Sequence, residues 1–227
     1  PRSLNPEAGY VATANNRPVG DDYPYYIAID FAAEFHVKLV TEGLLALDSP
    51  RASDMSKVHS KRVSIPASTY IELLRGVEPL DEMSAWAKDK LLAWPGTMDA
   101  GSVEPTIYSA CRDALLKEIL EHNLGPEFTQ AAWNPADRGL GSLGNRLKAR
   151  LVAMISENDI SLLPPGEDWA SMLARALSKG IAGLRKRLGD DMEEWRWERI
   201  HLARPRHNLS LAYPELSGLL DPPAIPV

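Results

Sequence analysis

The sequence predicts a mainly α-helical chain with a short β element at its N-terminal end. Apolar residues recur at helical spacing over much of the 227-residue chain, and glycine and proline separate the periodic segments. Residues 9–14 differ, because they form a short, partly β-branched run that ends in the turn-rich residues 15–22. That pattern is typical of a strand that leaves a sheet for a loop.

The elements that follow are predicted to be helices. Phe31, Phe35 and Leu39 begin a helical apolar pattern that covers residues 30–47. Ser49 and Pro50 then have the character of the N-cap and first residue of a further helix.

Two longer helices are predicted in the second half of the chain. Residues 105–124 place Cys111 and Leu115 on an inward face, and Gly125 with Pro126 ends that helix. Residues 169–188 carry the clearest apolar face. Asp168 stands at the start of this helix and Gly189 at its end, as helix-terminal preferences require. Further helix breaks are expected at residues 76–79, 94–96, 134–135, 139–144 and 163–166.

The composition excludes several classes of protein. With 44% hydrophobic and 25% charged residues, the chain should fold in water, and no run approaches the roughly 18 apolar residues of a membrane helix. Charges of both signs mix around residues 190–196, which is typical of a solvated surface, so we expect no nucleic-acid partner. The chain starts at Pro1 without methionine, and we interpret it as a piece of a longer protein.

Few residues offer chemistry of their own. The five histidines are too scattered for a short metal motif, so no metal site is expected. Cys111 lies on an apolar helix face, where cysteine is more often a core residue than a nucleophile. Nucleophile-elbow, phosphate-loop and dinucleotide motifs are absent from the sequence.

One segment resembles a known family. The residues Asn5-Pro6-Glu7-Ala8-Gly9-Tyr10-Val11-Ala12-Thr13-Ala14-Asn15-Asn16-Arg17-Pro18, followed by Asp22-Tyr23-Pro24-Tyr25-Tyr26, are similar to a stretch in the β chain of penicillin amidases. Later landmarks occur in the family's order: Asp54-Met55, Trp94-Pro95-Gly96, Tyr108 with Arg112, and the Trp195 to His201 segment. The resemblance extends from Asn5 to about Ser210.

This resemblance implies an N-terminal-nucleophile amidohydrolase of αββα fold. A serine upstream of Asn5 would attack an acyl-amide bond of a penicillin or a related small N-acyl substrate. Pro1 has no hydroxyl and cannot replace that serine, so this segment alone should be inactive. The implied partners are the α chain and the N-terminal part of the β chain from the same precursor.

The same resemblance implies a domain division and a location. Residues 1–29 would give a strand and an active-site loop to the hydrolase core, residues 30–210 a helical domain, and residues 211–227 an extended, proline-rich tail. No cofactor is expected in this segment, although calcium is possible in the full-length enzyme. A periplasmic or extracellular location is implied, with no membrane partner.

Two residues are candidate site residues. The family's oxyanion-hole asparagine falls on Asn15, whose side-chain amide can donate to a developing oxyanion without titrating. The alternative is that Asn15 and Asn16 only form a turn. His36 stands where the family commonly has arginine, at a position concerned with substrate binding or precursor processing, and histidine lacks arginine's permanent charge.

Two alternatives stay open at this point. Trp195, Trp197 and His201 either line a substrate cleft or fasten a helix to the core, and we favour the core. The chain as a whole is either part of an amidohydrolase or a non-catalytic helical binding or scaffold domain descended from that family, and we favour the hydrolase.

Overall fold

The computed structural model describes residues 1–29, 31–133 and 143–226. Helix accounts for 58% of the structure, which confirms the mainly helical class. The helices are α1 (Phe35–Leu45), α2 (Met55–His59), α3 (Ile65–Arg75), α4 (Glu82–Ala93), α5 (Glu104–Trp133), α6 (Leu143–Glu157), α7 (Trp169–Leu188), α8 (Asn208–Ala212) and α9 (Ser217–Leu220). Short 3-10 turns occupy Ala52–Asp54, Met192–Glu194, Trp197–Arg199 and Pro214–Leu216.

Contacts divide the chain into two compact units, Pro1–Pro66 and Ala67–Val227. The first unit contains α1 and α2, and α3 begins at the boundary. The domain limits expected after residues 29 and 210 stay a prediction.

In the first unit, α1 packs closely on the segment that contains α2. A Cβ atom at Gly43 would lie 3.2 Å from a methyl group of Val58, so the absent side chain permits this approach. Before α1, the backbone N–H of Ala32 donates to the carbonyl of Asn15 at 2.9 Å. This hydrogen bond holds the segment that precedes α1 against the turn formed by Asn15 and Asn16.

The strand predicted for residues 9–14 is wrong. Residues 1–29 contain no strand, and the N–H of Gly9 donates to the carbonyl of Pro6 at 2.9 Å in a local turn. A strand needs a neighbouring strand to receive its backbone hydrogen bonds, and none pairs with residues 9–14 in the described part of the chain.

The helix predicted to start at Ser49 and Pro50 begins later. The backbone N–H of Arg51 donates to Asp54 Oδ2 at 3.0 Å, and a 3-10 turn starts at Ala52 before α2. Proline at position 50 therefore lies in the connection rather than in the first helical turn. The helix predicted for residues 30–47 is confirmed as α1 at Phe35–Leu45.

The core of the second unit lies between α5 and α7, which pack together along their lengths. Their closest approach is at Gly180, where a Cβ atom would lie 2.9 Å from the carbonyl carbon of Ala110. The fully buried side chains around this contact come from both helices: Ile107, Leu115, Leu116, Ile119, Met172, Leu173 and Leu177.

Both ends of α7 are where the sequence predicts them. The side chain of Asp168 accepts a hydrogen bond from the Ser171 backbone N–H at 2.7 Å, which satisfies a free donor of the first turn. Gly189 follows the last residue with a φ of 97°, a conformation that glycine adopts without strain.

The break predicted at Gly125 is confirmed, but helical structure resumes after it. Gly125 has a φ of 77° and interrupts α5, after which Pro126 opens a second helical stretch that reaches Trp133. The break predicted at residues 134–135 and most of that predicted at residues 139–144 lie outside the described residues. The breaks at residues 76–79, 94–96 and 163–166 separate helices as predicted.

The C-terminal segment is not the extended tail predicted for residues 211–227. It contains the end of α8, a 3-10 turn, α9 and the strand β2 (Ile225–Pro226), which pairs antiparallel with β1 (Leu202–Ala203). Asp221 holds this arrangement, because it accepts hydrogen bonds from the His207 N–H at 2.8 Å and from the hydroxyls of Ser210 and Ser217. The hydrogen bonds from the Ser210 hydroxyl and the His207 N–H lower the pKa of Asp221 to about 2.

The tryptophans of residues 195–201 belong to the core, as we favoured. Trp195 is fully buried, donates from Nε1 to the Gly189 carbonyl at 3.0 Å and contacts the ring of Trp86 edge-on. Trp197 is also buried and meets the His201 ring at 4.6 Å between centroids. The segment forms one 3-10 turn, Trp197–Arg199, and not the single helix assumed for it.

Candidate active-site segment

Asn16 forms the turn that follows residues 9–14. Its Oδ1 accepts a hydrogen bond from the Ala14 N–H at 3.0 Å, and its Nδ2 donates to the Arg17 carbonyl at 2.9 Å. Asparagine suits this position because its short amide reaches backbone groups one or two residues away. Both functional groups of the Asn16 side chain are thus occupied by its own loop.

Asn15 is held by its backbone and leaves its side chain free. Its φ of 59° is left-handed, a conformation that asparagine tolerates better than most residues. Its carbonyl accepts the hydrogen bond from Ala32, whereas its exposed side-chain amide has no partner among the described residues. The two adjacent asparagines therefore have different roles: Asn16 closes the turn and Asn15 presents an amide to solvent.

An open cavity of about 330 Å³ lies next to this turn along the chain. The described residues that line it are Arg17, Val19, Tyr23, Tyr25, Tyr26, Ile27, Ala28, Ile29 and Phe31. Tyr23 and Tyr25 meet edge-on with 5.8 Å between ring centroids. Tyr25 and Tyr26 are 73% and 79% exposed, so large aromatic surfaces are available to a bound molecule.

Arg17 is the cationic residue among the described residues of this cavity wall. Its Nη1 donates to the carboxylate of Asp21, and its Nη2 donates to the Gly20 carbonyl at 3.4 Å. Pro18 follows Arg17, and a residue before proline favours extended backbone. The guanidinium is thus positioned by the sequence immediately after the asparagine pair.

His36 is the second residue of α1 and is exposed. It lies four residues after Ala32, whose N–H reaches the carbonyl of Asn15. No hydrogen bond joins the side chains of Asn15 and His36 in the described structure. Both are placed in the first compact unit, but the structure does not bring them into direct contact.

The tyrosines of this loop belong to the stretch that resembles the family, but the sequence alone predicts no role for them. Tyr23, Tyr25 and Tyr26 are three of the chain's seven tyrosines and fall within four residues. Such a concentration of aromatic residues beside a candidate oxyanion donor was an available signal for a binding surface. What it could not show is that Arg17 would share the wall with them.

Cys111 is a core residue, as predicted. Burial raises the pKa of its thiol to about 12, so the reactive thiolate is disfavoured. Within residues 1–29, 31–133 and 143–226, no three His, Cys, Asp or Glu side chains are grouped to hold a metal ion.

Comparison with known proteins identifies the family. The family model for penicillin amidase matches residues 1–227. This chain belongs to the penicillin amidase family. The finding confirms the resemblance stated for residues 5–210 and extends it to the whole chain.

Curated relatives in this family are bacterial acylases. Penicillin acylase 2 proenzyme of Pseudomonas sp. is 28% identical over 236 residues, which cover 100% of this chain and 28% of the relative. An acyl-homoserine lactone acylase, QuiP, of Pseudomonas fluorescens is 27% identical over 219 residues, 88% of this chain and 27% of the relative. The chain thus spans just over a quarter of the length of these relatives. In the described residues, no helix is both long and apolar enough to cross a membrane.

Proposed function

We propose that this chain supplies the oxyanion-hole segment of an acylase that hydrolyses N-acyl amides, and that Asn15 is the oxyanion donor. The family relationship supports acyl-amide hydrolysis at the level of the family. The residue assignment rests on the hydrogen bonds of the Asn15–Asn16 pair, because the Asn16 side chain is bonded within the loop and the Asn15 side chain is not. Only the Asn15 amide is free to bind a substrate oxygen.

The reaction consumes water and releases an acid and an amine. A serine hydroxyl elsewhere in the enzyme adds to the acyl carbonyl, and the carbonyl oxygen takes the electron pair as an oxyanion. The Asn15 amide donates a hydrogen bond to that oxygen. This hydrogen bond is stronger in the tetrahedral intermediate than in the substrate. The amine then leaves with a proton, and water hydrolyses the acyl-serine to release the acid and restore the hydroxyl.

The aromatic wall provides the binding surface for this reaction. Tyr25 and Tyr26 offer flat, exposed apolar area close in sequence to the oxyanion donor. His36 sits at the start of the helix that follows and would contribute to substrate positioning or precursor processing. The remaining partners are other segments of the same precursor. This part of the proposal is supported by one relative, which is named as a proenzyme.

The proposal assigns no cofactor to the described residues. Calcium, in a full-length enzyme of this family, would be held by other segments. The proposal also includes a periplasmic or extracellular location, which cell fractionation of a strain that carries the complete gene would test.

The test compares two adjacent substitutions in the complete gene product that contains this chain. Loss of one oxyanion donor typically costs about 2.7–4 kcal/mol of transition-state stabilisation, so Asn15→Ala should lower kcat roughly a hundredfold to a thousandfold. KM should change little. The melting temperature should fall slightly, because alanine tolerates the left-handed φ of 59° at this position less well than asparagine does.

Asn16→Ala is the matched control. It removes the two hydrogen bonds that close the turn, so it should lower thermal stability first and kcat less. If the two variants exchange behaviour, the donor is Asn16. If both keep nearly normal kcat, the pair is only a turn and the non-catalytic scaffold gains support.

A further inference from the structure

We infer that the C-terminal apolar surface of this chain, formed by the exposed side chains of residues 208–226, is a docking surface for another segment of the same polypeptide. The inference rests on the proposed function, which makes other segments of the precursor the partners of this chain. It adds which surface of this chain such a segment covers and that the contact is apolar.

Large apolar side chains are concentrated at this surface. Among residues 143–207, all of which the structure describes, only Ile160 is an exposed large hydrophobic residue. The much shorter stretch 208–226 exposes five: Leu209, Leu211, Tyr213, Leu219 and Ile225. Single apolar residues are ordinary on a protein surface, but a concentration of them indicates contact with another surface.

These side chains are exposed although the segment that carries them is folded. Helix α8, the 3-10 turn Pro214–Leu216 and helix α9 contact one another, and Asp221 connects the segment to His207 and Ser210. The buried residue of this stretch is Ser210, whose hydroxyl donates to Asp221. Polar groups therefore occupy the interior of the segment while its apolar side chains stay in water, the reverse of the arrangement that stabilises a segment without a partner.

The small sheet beside this segment also offers free edges. Strands β1 and β2 pair Leu202 with Pro226 and Ala203 with Ile225, and proline contributes no backbone N–H to the ladder. An isolated two-stranded sheet is marginally stable in water, and an edge strand presents unpaired N–H and C=O groups. A strand from another segment would bond to such an edge and cover Ile225 at the same time.

The chemistry of the surface favours a permanent partner within the same polypeptide. The five exposed side chains are all uncharged, and interfaces that stay assembled are more apolar than those that form and separate. In the curated relatives, just over a quarter of the chain matches this one. Most of each relative therefore lies outside the matched part, and a complete protein built in the same way has ample chain to cover this surface.

The test measures how fast a thiol at the surface is alkylated in the complete gene product that contains this chain. Leu219→Cys places the thiol at the surface, and Ile160→Cys is the matched control at an exposed apolar position outside it. Because Leu219 is 81% exposed and Ile160 51%, an uncovered surface would make the Leu219→Cys thiol the faster of the two. On a docked surface alkylation requires local opening, so Leu219→Cys should react about tenfold more slowly than Ile160→Cys, or slower still.

Each rate is divided by the rate in denaturant, and mass spectrometry of the peptides assigns the label to its position. Equal rates, or a faster rate for Leu219→Cys, would overturn the inference. Protection of Leu219→Cys that is lost on dilution would show that a second copy covers the surface, and would overturn the assignment to the same polypeptide.

Hydrolysis of N-acyl amides by the wild-type gene product is measured separately. Protection of Leu219→Cys without any such hydrolysis would overturn the proposed function and leave the docking surface standing. Hydrolysis without protection would overturn the docking surface and leave the proposed function standing.

Discussion

Gly180 tests how tightly the two central helices are packed. It lies inside α7, where alanine would normally stabilise a helix by about 1 kcal/mol relative to glycine. A Cβ atom here would lie 2.9 Å from the carbonyl carbon of Ala110, 3.0 Å from its oxygen and 3.0 Å from the nitrogen of Cys111. All three atoms are backbone atoms of α5, so they cannot move without moving the helix.

The magnitude follows from these distances. Ordinary carbon contacts are about 3.5–4.0 Å, so α5 and α7 must separate by roughly 0.5–1 Å to admit the methyl group. Overpacking of this kind typically costs about 1–3 kcal/mol. After the gain in helix propensity, Gly180→Ala should lower the free energy of unfolding by up to about 2 kcal/mol.

Gly183 provides a matched control on the same helix. It is exposed, and a Cβ atom there meets nothing within 4 Å, so Gly183→Ala should show only the stabilising propensity effect. Urea denaturation followed by far-UV circular dichroism should separate the two variants by about 1–3 kcal/mol, with similar m-values. For a chain of this size that difference corresponds to roughly 2–12 °C in Tm. If Gly180→Ala stabilises the chain as much as Gly183→Ala does, the helices are not in the contact described.

Two further predictions concern other parts of the second unit. The folded-state pKa of Asp221 is about 2, below its ordinary value of 3.8, so its stabilising contribution is complete above pH 3.8 and is lost as the pH falls towards 2. The protection of the amides of residues 207–221, taken relative to the intrinsic exchange rate at each pH, should therefore fall over that acid range in the wild type and be low already at neutral pH in Asp221→Ala; equal protection in both would contradict the role given to Asp221. Cys111 should resist alkylation in the folded chain and react fully in denaturant, because it is buried and its pKa is raised. Rapid modification under native conditions would show that the core around it is open.

Signals carried by neighbouring residues were sufficient for the best-predicted parts of this chain. The start and end of α7 were predicted because Asp168 caps its own helix and Gly189 adopts its own left-handed conformation. Gly125 interrupts α5 for the same local reason. The family assignment was also available from the Asn5 to Pro18 stretch, since sequence similarity does not depend on knowing the fold.

Tertiary structure decided the rest. In some places the stabilising contacts join residues that are distant in sequence, and in another two adjacent residues are of the same type. Residues 9–14 have the composition of a strand but no partner strand among the described residues, and the C-terminal segment folds because Asp221 reaches back to His207 and Ser210. The sequence marked Asn15 and Asn16 together as a candidate pair, but two identical side chains cannot be distinguished by residue type. Only the hydrogen bonds of Asn16 to Ala14 and Arg17 show which amide is occupied and which is free.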